Sequence, residues 1–391
     1  MHDLGSLIGH SAAKIDTPAL VVDLDAMERN LLAMQDFADR HGMKLRPHAK
    51  MHKSAELALL QIQAGAVGVC VQKVSEAVAL AAQGVQDIYI SNSVVSLSKC
   101  ERLAQILKGQ TAQNASKLRL SVAADSLHCI RMLAQAMRMH AAAQRLPVFI
   151  EIDVGQQRCG VEPGQAAVAL AHEIAQHDVL QFAGLQAYHG KAQHLRSASD
   201  RHAAMALVMD KVRLTQVALK TAGFTVPLIT GAGTGSFVHE AISGLYGELQ
   251  AGSYLFMDAD YAANERDPEP HRATPRFEHA LFVKSQVISR HTTASDDRSI
   301  LDAGHKSHAI DSGLPTVWSG HAADWQFFNG GDEHGILRGT QLPELGETVW
   351  LIPGHCDPTV NLHDAMIGVR GGLAAGHVER IIEVTSRGCL T

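Results

Sequence analysis

The 391-residue chain has little charge: Asp, Glu, Lys and Arg make up 19% of it, below the roughly 25% usual in soluble domains. It has no basic excess, since 34 Lys and Arg stand against 40 Asp and Glu for a net charge of −6. A phosphate backbone needs a cationic face, so no nucleic-acid partner is expected. No uncharged apolar run reaches the roughly 18 residues of a membrane span, so no membrane association is expected. The opening Met1-His2-Asp3-Leu4 lacks the basic patch and apolar run of a signal peptide. The cysteines at 70, 100, 129, 159, 356 and 389 have no paired spacing. They read as reduced thiols of a cytoplasmic protein. No internal repeat or low-complexity segment is evident.

Apolar material is plentiful. Hydrophobic residues reach 46%, which excludes a disordered chain, and the length exceeds what one core fills, so two domains are expected. Histidine stands out at 23 residues, an excess that invites a search for metal or acid–base sites.

Apolar runs alternate with helical stretches from about residue 44 to 252. The runs are Lys44–Pro47, Val67–Gln72, Asp87–Ser91, Leu118–Ala123, Val148–Asp153, Phe182–Tyr188, Leu228–Gly231 and Gly247–Ala251. Helices are expected between them, as at Ser54–Gln63, Val74–Ala82, Leu127–Ala142 and Ala203–Ala222. Continuous apolar strands separated by helices are parallel strands buried on both faces. Eight such units fit an α/β fold of the (β/α)8 barrel type better than a doubly wound sheet. The stretch from Thr230 to Gln250 fits least well, because only Phe237–Ser243 is left to form a short helix.

The pattern changes after about Asp260. Asn264–Thr274 is a charged connector with Asp267-Pro268-Glu269-Pro270. Strand-like segments follow at Leu281–Ser289, Glu347–Ile352, Ala365–Val369 and His377–Val384, divided by Gly and Asp/Asn turns. A second, mostly β domain is expected, and the early strand Ala19–Leu24 is assigned to it. The expected division is 26–262 for the barrel, with 1–25 and 263–391 forming the β domain.

Functional residues of such barrels cluster at the carboxyl ends of the strands. The first strand ends in Arg46-Pro47-His48-Ala49-Lys50-Met51-His52-Lys53. Lys50 either points into the mouth or, with Lys53, opens an exposed helix. In the first case Arg46 and Lys53 would lower its pKa and leave an amine able to form a Schiff base. His48 and His52 have a helical metal spacing, but no Glu accompanies them, and a metal is not expected there. Arg158, after the fifth strand, either holds an anionic oxygen or is a surface arginine. Tyr188, His189 and His194, after the sixth, are acid–base candidates, with a solvated loop histidine the alternative. The seventh strand runs through Thr230 into Gly231-Ala232-Gly233-Thr234-Gly235-Ser236, and the eighth into Gly252-Ser253-Tyr254. Loops after strands seven and eight are the usual phosphate site of this fold, although Ser236 breaks the dinucleotide pattern. In the β domain, His355 and Asp357 would project to one side if extended, an imidazole–carboxylate pair suited to Mn²⁺ or Mg²⁺. An ordinary turn is the alternative.

Taken together these segments resemble the D-threonine aldolase family, within the alanine-racemase-like (fold type III) pyridoxal-phosphate enzymes. The resemblance runs from Asp16-Thr17-Pro18-Ala19-Leu20 to Pro353-Gly354-His355-Cys356-Asp357. It includes Arg46-Pro47-His48-Ala49-Lys50, Val71-Gln72-Lys73-Val74-Ser75-Glu76-Ala77, Arg158-Cys159-Gly160-Val161, Gly233-Thr234-Gly235-Ser236 and Met257-Asp258-Ala259-Asp260-Tyr261. It implies that Lys50 carries pyridoxal 5'-phosphate and that Arg158 faces the cofactor's phenolate oxygen. Gln72, Tyr188, Thr230, Gly233, Thr234, Gly235, Gly252, Ser253 and Tyr254 would lie about the cofactor. His355 and Asp357 would bind a divalent metal, with His194 or His189 as general base. It also implies a homodimer in which one subunit's β domain completes the other's barrel mouth.

Asp357 bears on the reaction. Dehydratase relatives carry His-x-Cys, a softer pair suited to zinc, whereas a carboxylate suits a harder ion that binds a β-hydroxyl. The expected activity is therefore retro-aldol cleavage of a β-hydroxy-D-amino acid, of D-threonine type, to glycine and an aldehyde. A 3-hydroxy-D-aspartate aldolase is the nearest alternative, followed by a dehydratase. A non-catalytic carrier of the cofactor is disfavoured by the full β domain.

Overall fold

The computed structural model describes residues 4–109, 118–266, 274–293, 296–318 and 324–391. The segment Asp267-Pro268-Glu269-Pro270 lies outside them, as do Met1-His2-Asp3.

Eight parallel strands form the first sheet: Lys44–Leu45, Val69–Val71, Asp87–Ser93, Arg119–Ala124, Leu146–Glu151, Leu180–Ala187, Ile229–Gly231 and Glu248–Leu249. Each overlaps one of the expected runs. Lys44 lies beside Glu248, joining the first strand to the eighth. Pro47 has no N–H and interrupts the ladder, yet the first and second strands still meet. Val67 and Cys70 N–H donate to Leu45 and Pro47 carbonyls at 2.9 and 2.8 Å, and Ala49 N–H donates to Cys70 at 2.8 Å. The sheet closes into a barrel.

The period-2 alternation of the strands sorts the side chains. One set faces the helices and forms the main core. The other faces inward, where Cys70, Tyr89, Ala123 and Phe149 make a small separate apolar cluster. Polar groups are buried there too. Tyr89 Oη donates to Gln186 at 3.0 Å, and the Gln250 amide donates to Thr230 Oγ1 at 2.7 Å.

Helices begin where side chains satisfy their free N–H groups. Leu24–Arg40 is capped by Asp23, which accepts from Ala26 N–H at 3.1 Å, and it buries Met27, Leu31, Met34, Phe37 and Ala38. Val74–Ala82 starts under Glu76, whose carboxylate accepts from Gln72 and Lys73 N–H at 2.9 and 3.1 Å. That cap fixes the backbone at Gln72 and Lys73, which reach the site. The interval that fitted least well holds the short helix Phe237–Ile242.

The second sheet has nine strands among the described residues. Ala19–Asp23 lies at its centre, antiparallel to Leu281–Thr292 (Ala19 beside Lys284) and parallel to Ala365–Arg370 (Val21 beside Ile367). The chain thus starts in the β sheet, builds the barrel and returns. Thr316–Trp318, Gln326–Asn329, Gly335–Arg338 and Asp297–Leu301 are short strands beyond those named from the sequence. Thr316–Trp318 and Gln326–Asn329 keep most side chains at least partly exposed, so they lack the apolar alternation that marks a strand. No helix among the described residues is long and apolar enough to cross a membrane, and all six cysteines are free.

Candidate active site

The barrel mouth opens into a cavity of about 320 Å³, within the range of small-ligand sites. Its wall is built from the ends of most of the barrel strands. His48 and Lys50 follow the first strand, Gln72 and Lys73 the second, and Ser91 and Asn92 belong to the third. Arg158 and Tyr188 follow the fifth and sixth, the Gly233–Thr234 and Gly252–Ser253 loops the last two, and Asp357 enters from the β domain.

Lys50 occupies the mouth, not an exposed helix: its Nζ lies 2.7 Å from Asp357 Oδ2, with the side chain 43% exposed. The Asp357 charge raises the Lys50 pKa above its ordinary value, against the opposing effects of burial and Arg158. This corrects the expectation that Arg46 and Lys53 would lower it. Arg46 is engaged below the cavity by Asp87 and Glu248 at 2.6 and 3.0 Å, and Lys53 pairs with Glu76 at 2.9 Å. Each cation is neutralised by its own carboxylate before it can act on Lys50.

His48 was not assigned a site role from the sequence, yet it lines the cavity. Its Nε2 accepts from the Gln72 amide at 2.9 Å and lies 3.2 Å from Ser91 Oγ. Burial, and then the charge of Lys50, lower its pKa well below the ordinary histidine value, so the ring is a neutral hydrogen-bonding wall. One signal in the sequence could have found it: residues 48 and 50 are two apart after a strand, the same alternation used for His355 and Asp357. His52 is instead buried and bonded to Gln61 at 3.2 Å.

The glycine loops come to the wall as bare backbone. A Cβ at Gly233 would lie 2.4 Å from Gln193 Oε1, and one at Gly252 would lie 2.7 Å from the His48 carbonyl. Side chains are therefore excluded from both, and an anion could approach main-chain N–H groups there. Thr234 Oγ1 accepts from Tyr254 N–H at 3.0 Å, pinning the two loops together. The cavity wall includes neither Thr230, Gly235 nor Tyr254. Thr230 lies beneath it, its hydroxyl donating to Glu248 at 2.8 Å. Gly235 N–H donates to Gln193 at 2.9 Å, and the Tyr254 hydroxyl accepts from Gln61 at 3.1 Å. Tyr188 faces the cavity, and burial raises its phenol pKa.

His355 and Asp357 converge, though not as an extended pair. His355 is extended and caps the helix Cys356–Val360, whose first turn carries Asp357. His355 Nε2 faces Asp357 Oδ1 across 3.8 Å, and that buried oxygen has no hydrogen-bond partner. Burial raises the Asp357 pKa, but Lys50 and His355 outweigh it and the carboxyl lies below its ordinary value. An unsatisfied carboxylate oxygen opposite an imidazole nitrogen suits a divalent cation. No three His, Cys, Asp or Glu side chains form a metal group among the described residues, so water or substrate would complete the coordination. Asp258 ties this loop to the barrel: its carboxylate accepts from Cys356 and Tyr261 N–H, both at 3.0 Å. Lys50 and the His355–Asp357 pair therefore meet within one chain.

The two candidate bases lie just outside the wall. His194 Nδ1 is 2.6 Å from Asp260 Oδ2, its side chain is 49% exposed, and its ring lies 5.9 Å from that of Tyr261, a wall residue. Arg196 also engages Asp260. His189 stacks over Gly155, has a buried Nδ1 without a partner, and is shifted below its ordinary pKa by burial and then by Lys211.

Residues 22–260 match the family described as alanine racemase, N-terminal domain, and residues 280–369 match a serine dehydratase domain family. Over 383 residues the chain is 44% identical to the D-threonine aldolase of Arthrobacter sp, covering 97% of this chain and 95% of that one. It is 40% identical to the 3-hydroxy-D-aspartate aldolase of Paracoccus denitrificans (strain Pd 1222), covering 99% and 96%. The crystal structure of D-threonine aldolase from Filomicrobium marinum matches with a TM-score of 0.90 at 45% identity, covering 98% and 99%. The barrel, its mouth and these matches define an alanine-racemase-like enzyme. Within that class the chain belongs to the family of the D-threonine aldolases, and it is a lyase.

Proposed function

We propose that the protein cleaves a β-hydroxy-D-amino acid of D-threonine type to glycine and an aldehyde, using pyridoxal 5'-phosphate and a divalent metal, Mn²⁺ or Mg²⁺. One observation carries this reading. Lys50 meets Asp357 at 2.7 Å in the cavity, while the other Asp357 oxygen stands unpartnered before His355. An amine for an aldehyde cofactor thus shares the wall with Asp357, whose other oxygen faces a second donor for a cation.

Bound to Lys50, the cofactor would act as the electron sink for the electrons of the broken Cα–Cβ bond. Arg158 would hold its phenolate oxygen, and the backbone at Gly233–Thr234 and Gly252–Ser253 its phosphate. His48, held neutral, would pack against it without adding charge. A metal on His355 and Asp357 would lower the pKa of a hydroxyl beside it. His194 is assigned as the base that takes the β-hydroxyl proton. Asp260 accepts from its Nδ1, which leaves Nε2 free to receive a proton. His194→Ala should lower kcat about 10²- to 10⁴-fold, with His189→Ala much milder. The reverse order of effects would transfer the role to His189.

A second reading, 3-hydroxy-D-aspartate as substrate, is favoured by Lys73, a further cation on the cavity wall. The test is product analysis of the holoenzyme with D-threonine and with D-3-hydroxyaspartate, with and without chelator. Glycine with acetaldehyde, lost on chelation, supports the first reading, and glycine with glyoxylate alone supports the second. Ammonia and a keto acid without glycine would establish a dehydratase and refute both. Assembly as a cytoplasmic homodimer belongs to the same proposal and is read by sedimentation and fractionation.

A further inference from the structure

Behind His355, on the side away from Asp357, stands a carboxylate that the reaction does not use. Asp311 Oδ2 lies 2.7 Å from His355 Nδ1, and Ser312 Oγ lies 3.3 Å from the same nitrogen. The two ring nitrogens of an imidazole point in divergent directions. Asp311 therefore cannot share an ion with Asp357, which faces Nε2 across 3.8 Å. What it can do is accept the Nδ1 proton. That fixes the tautomer in which Nε2 carries the lone pair, and fixes the ring plane as well.

The contact is built into the backbone. A Cβ at Gly354 would lie 2.2 Å from the Gly313 carbonyl, so the turn after Asp311 and the loop before His355 touch main chain to main chain. Buried Thr359 joins the same two segments: its hydroxyl donates to the His355 carbonyl at 2.7 Å and accepts from Ala309 N–H at 3.1 Å. A chance surface pair between long side chains would have neither tie.

We propose that Asp311 is a positioning residue that presents His355 Nε2 to a divalent cation held with Asp357. The inference rests on the metal reading above.

The test measures Mn²⁺ binding directly, from the spin-resonance signal of free Mn²⁺ titrated into chelator-stripped, cofactor-loaded protein. Asp311→Ala should weaken binding about ten- to a hundredfold. Asp311→Asn, whose amide oxygen still accepts the Nδ1 proton, should recover most of the loss. Cofactor absorbance and melting temperature should match wild type in both variants. Wild-type Mn²⁺ affinity in Asp311→Ala overturns the proposal, and so does an equal loss in both variants, which would make charge rather than orientation the cause. If Asp311→Ala melts early, Asp311→Asn is compared with Asp311→Ser, which keeps an acceptor too short to reach, and equal affinities overturn the proposal. Failure of the wild-type protein to bind Mn²⁺ would instead refute the metal reading itself.

Discussion

At the amino end of the barrel strands, Arg46 bonds Asp87 and Glu248 at 2.6 and 3.0 Å, and Arg119 reaches the other Asp87 oxygen at 2.8 Å. Glu248 in turn accepts from Thr230. At the carboxyl end, Asp357 and Glu240 each keep one buried oxygen without a partner, and His189 a buried ring nitrogen. The floor is charged yet locally neutralised, whereas the mouth leaves buried polar atoms unmatched. Buried polar atoms normally find partners because leaving them bare costs about 1–3 kcal/mol each. The floor follows that rule and holds the barrel together. The mouth departs from it where a ligand supplies the missing partner.

Substitutions at the two ends should therefore separate activity from stability. Lys50→Ala should reduce turnover roughly a thousandfold or more and abolish cofactor absorbance that borohydride can shift. Its melting temperature should stay near wild type, since the Lys50 side chain is 43% exposed and Asp357 keeps His355 3.8 Å away. A large drop in melting temperature would make Lys50 part of the scaffold. Arg46→Met should do the opposite. It strands Glu248, only 1% exposed, and should cost about 3–5 kcal/mol in denaturant unfolding, with turnover per folded molecule little changed. A stable Arg46→Met protein with lost activity would erase the contrast between floor and mouth.

The smallest effect concerns Glu240, behind the glycine loop. Burial pushes its carboxyl up to about 8 from an ordinary 4.5, while Ser236 donates to it at 2.9 Å. A raised folded-state pKa stabilises the fold fully below the unfolded value, and the contribution is lost as pH rises through about 8. Glu240→Gln, neutral throughout, should lose less stability than wild type between about pH 5 and pH 9. Parallel melting curves across that range would show that Glu240 titrates normally.

Much of the barrel was legible along the chain because its strands are continuous apolar runs, and burial on both faces leaves no other pattern. Lys50, Arg158 and the glycine loops were legible as positions just past those runs. Whether Lys50 faced solvent or the mouth was not, and neither was the direction of its pKa shift. Asp357 is the group that raises the shift, and nothing local to residue 50 names it. His48 was hidden because a histidine after a strand reads equally well as a solvated loop residue. Asp311 was more hidden still: its partner lies in another segment, and its own surroundings read as an ordinary polar turn. The family resemblance places Thr230 and Tyr254 about the cofactor, and their position along the chain does not say which of their atoms face it. Alternation and packing turned Thr230 into the barrel interior and the Tyr254 ring toward Gln61.

The sequence by itself determined the eight parallel strands, the return of the chain to a β sheet and the chemical types available at the strand ends, because those follow from local hydrophobic period and turn chemistry. Only the tertiary structure decided which groups meet: Lys50 with Asp357, His355 with Asp311, Arg46 with Glu248. Charges act over a few ångströms, and only folding of the barrel and the second sheet brings segments tens to hundreds of residues apart within that range.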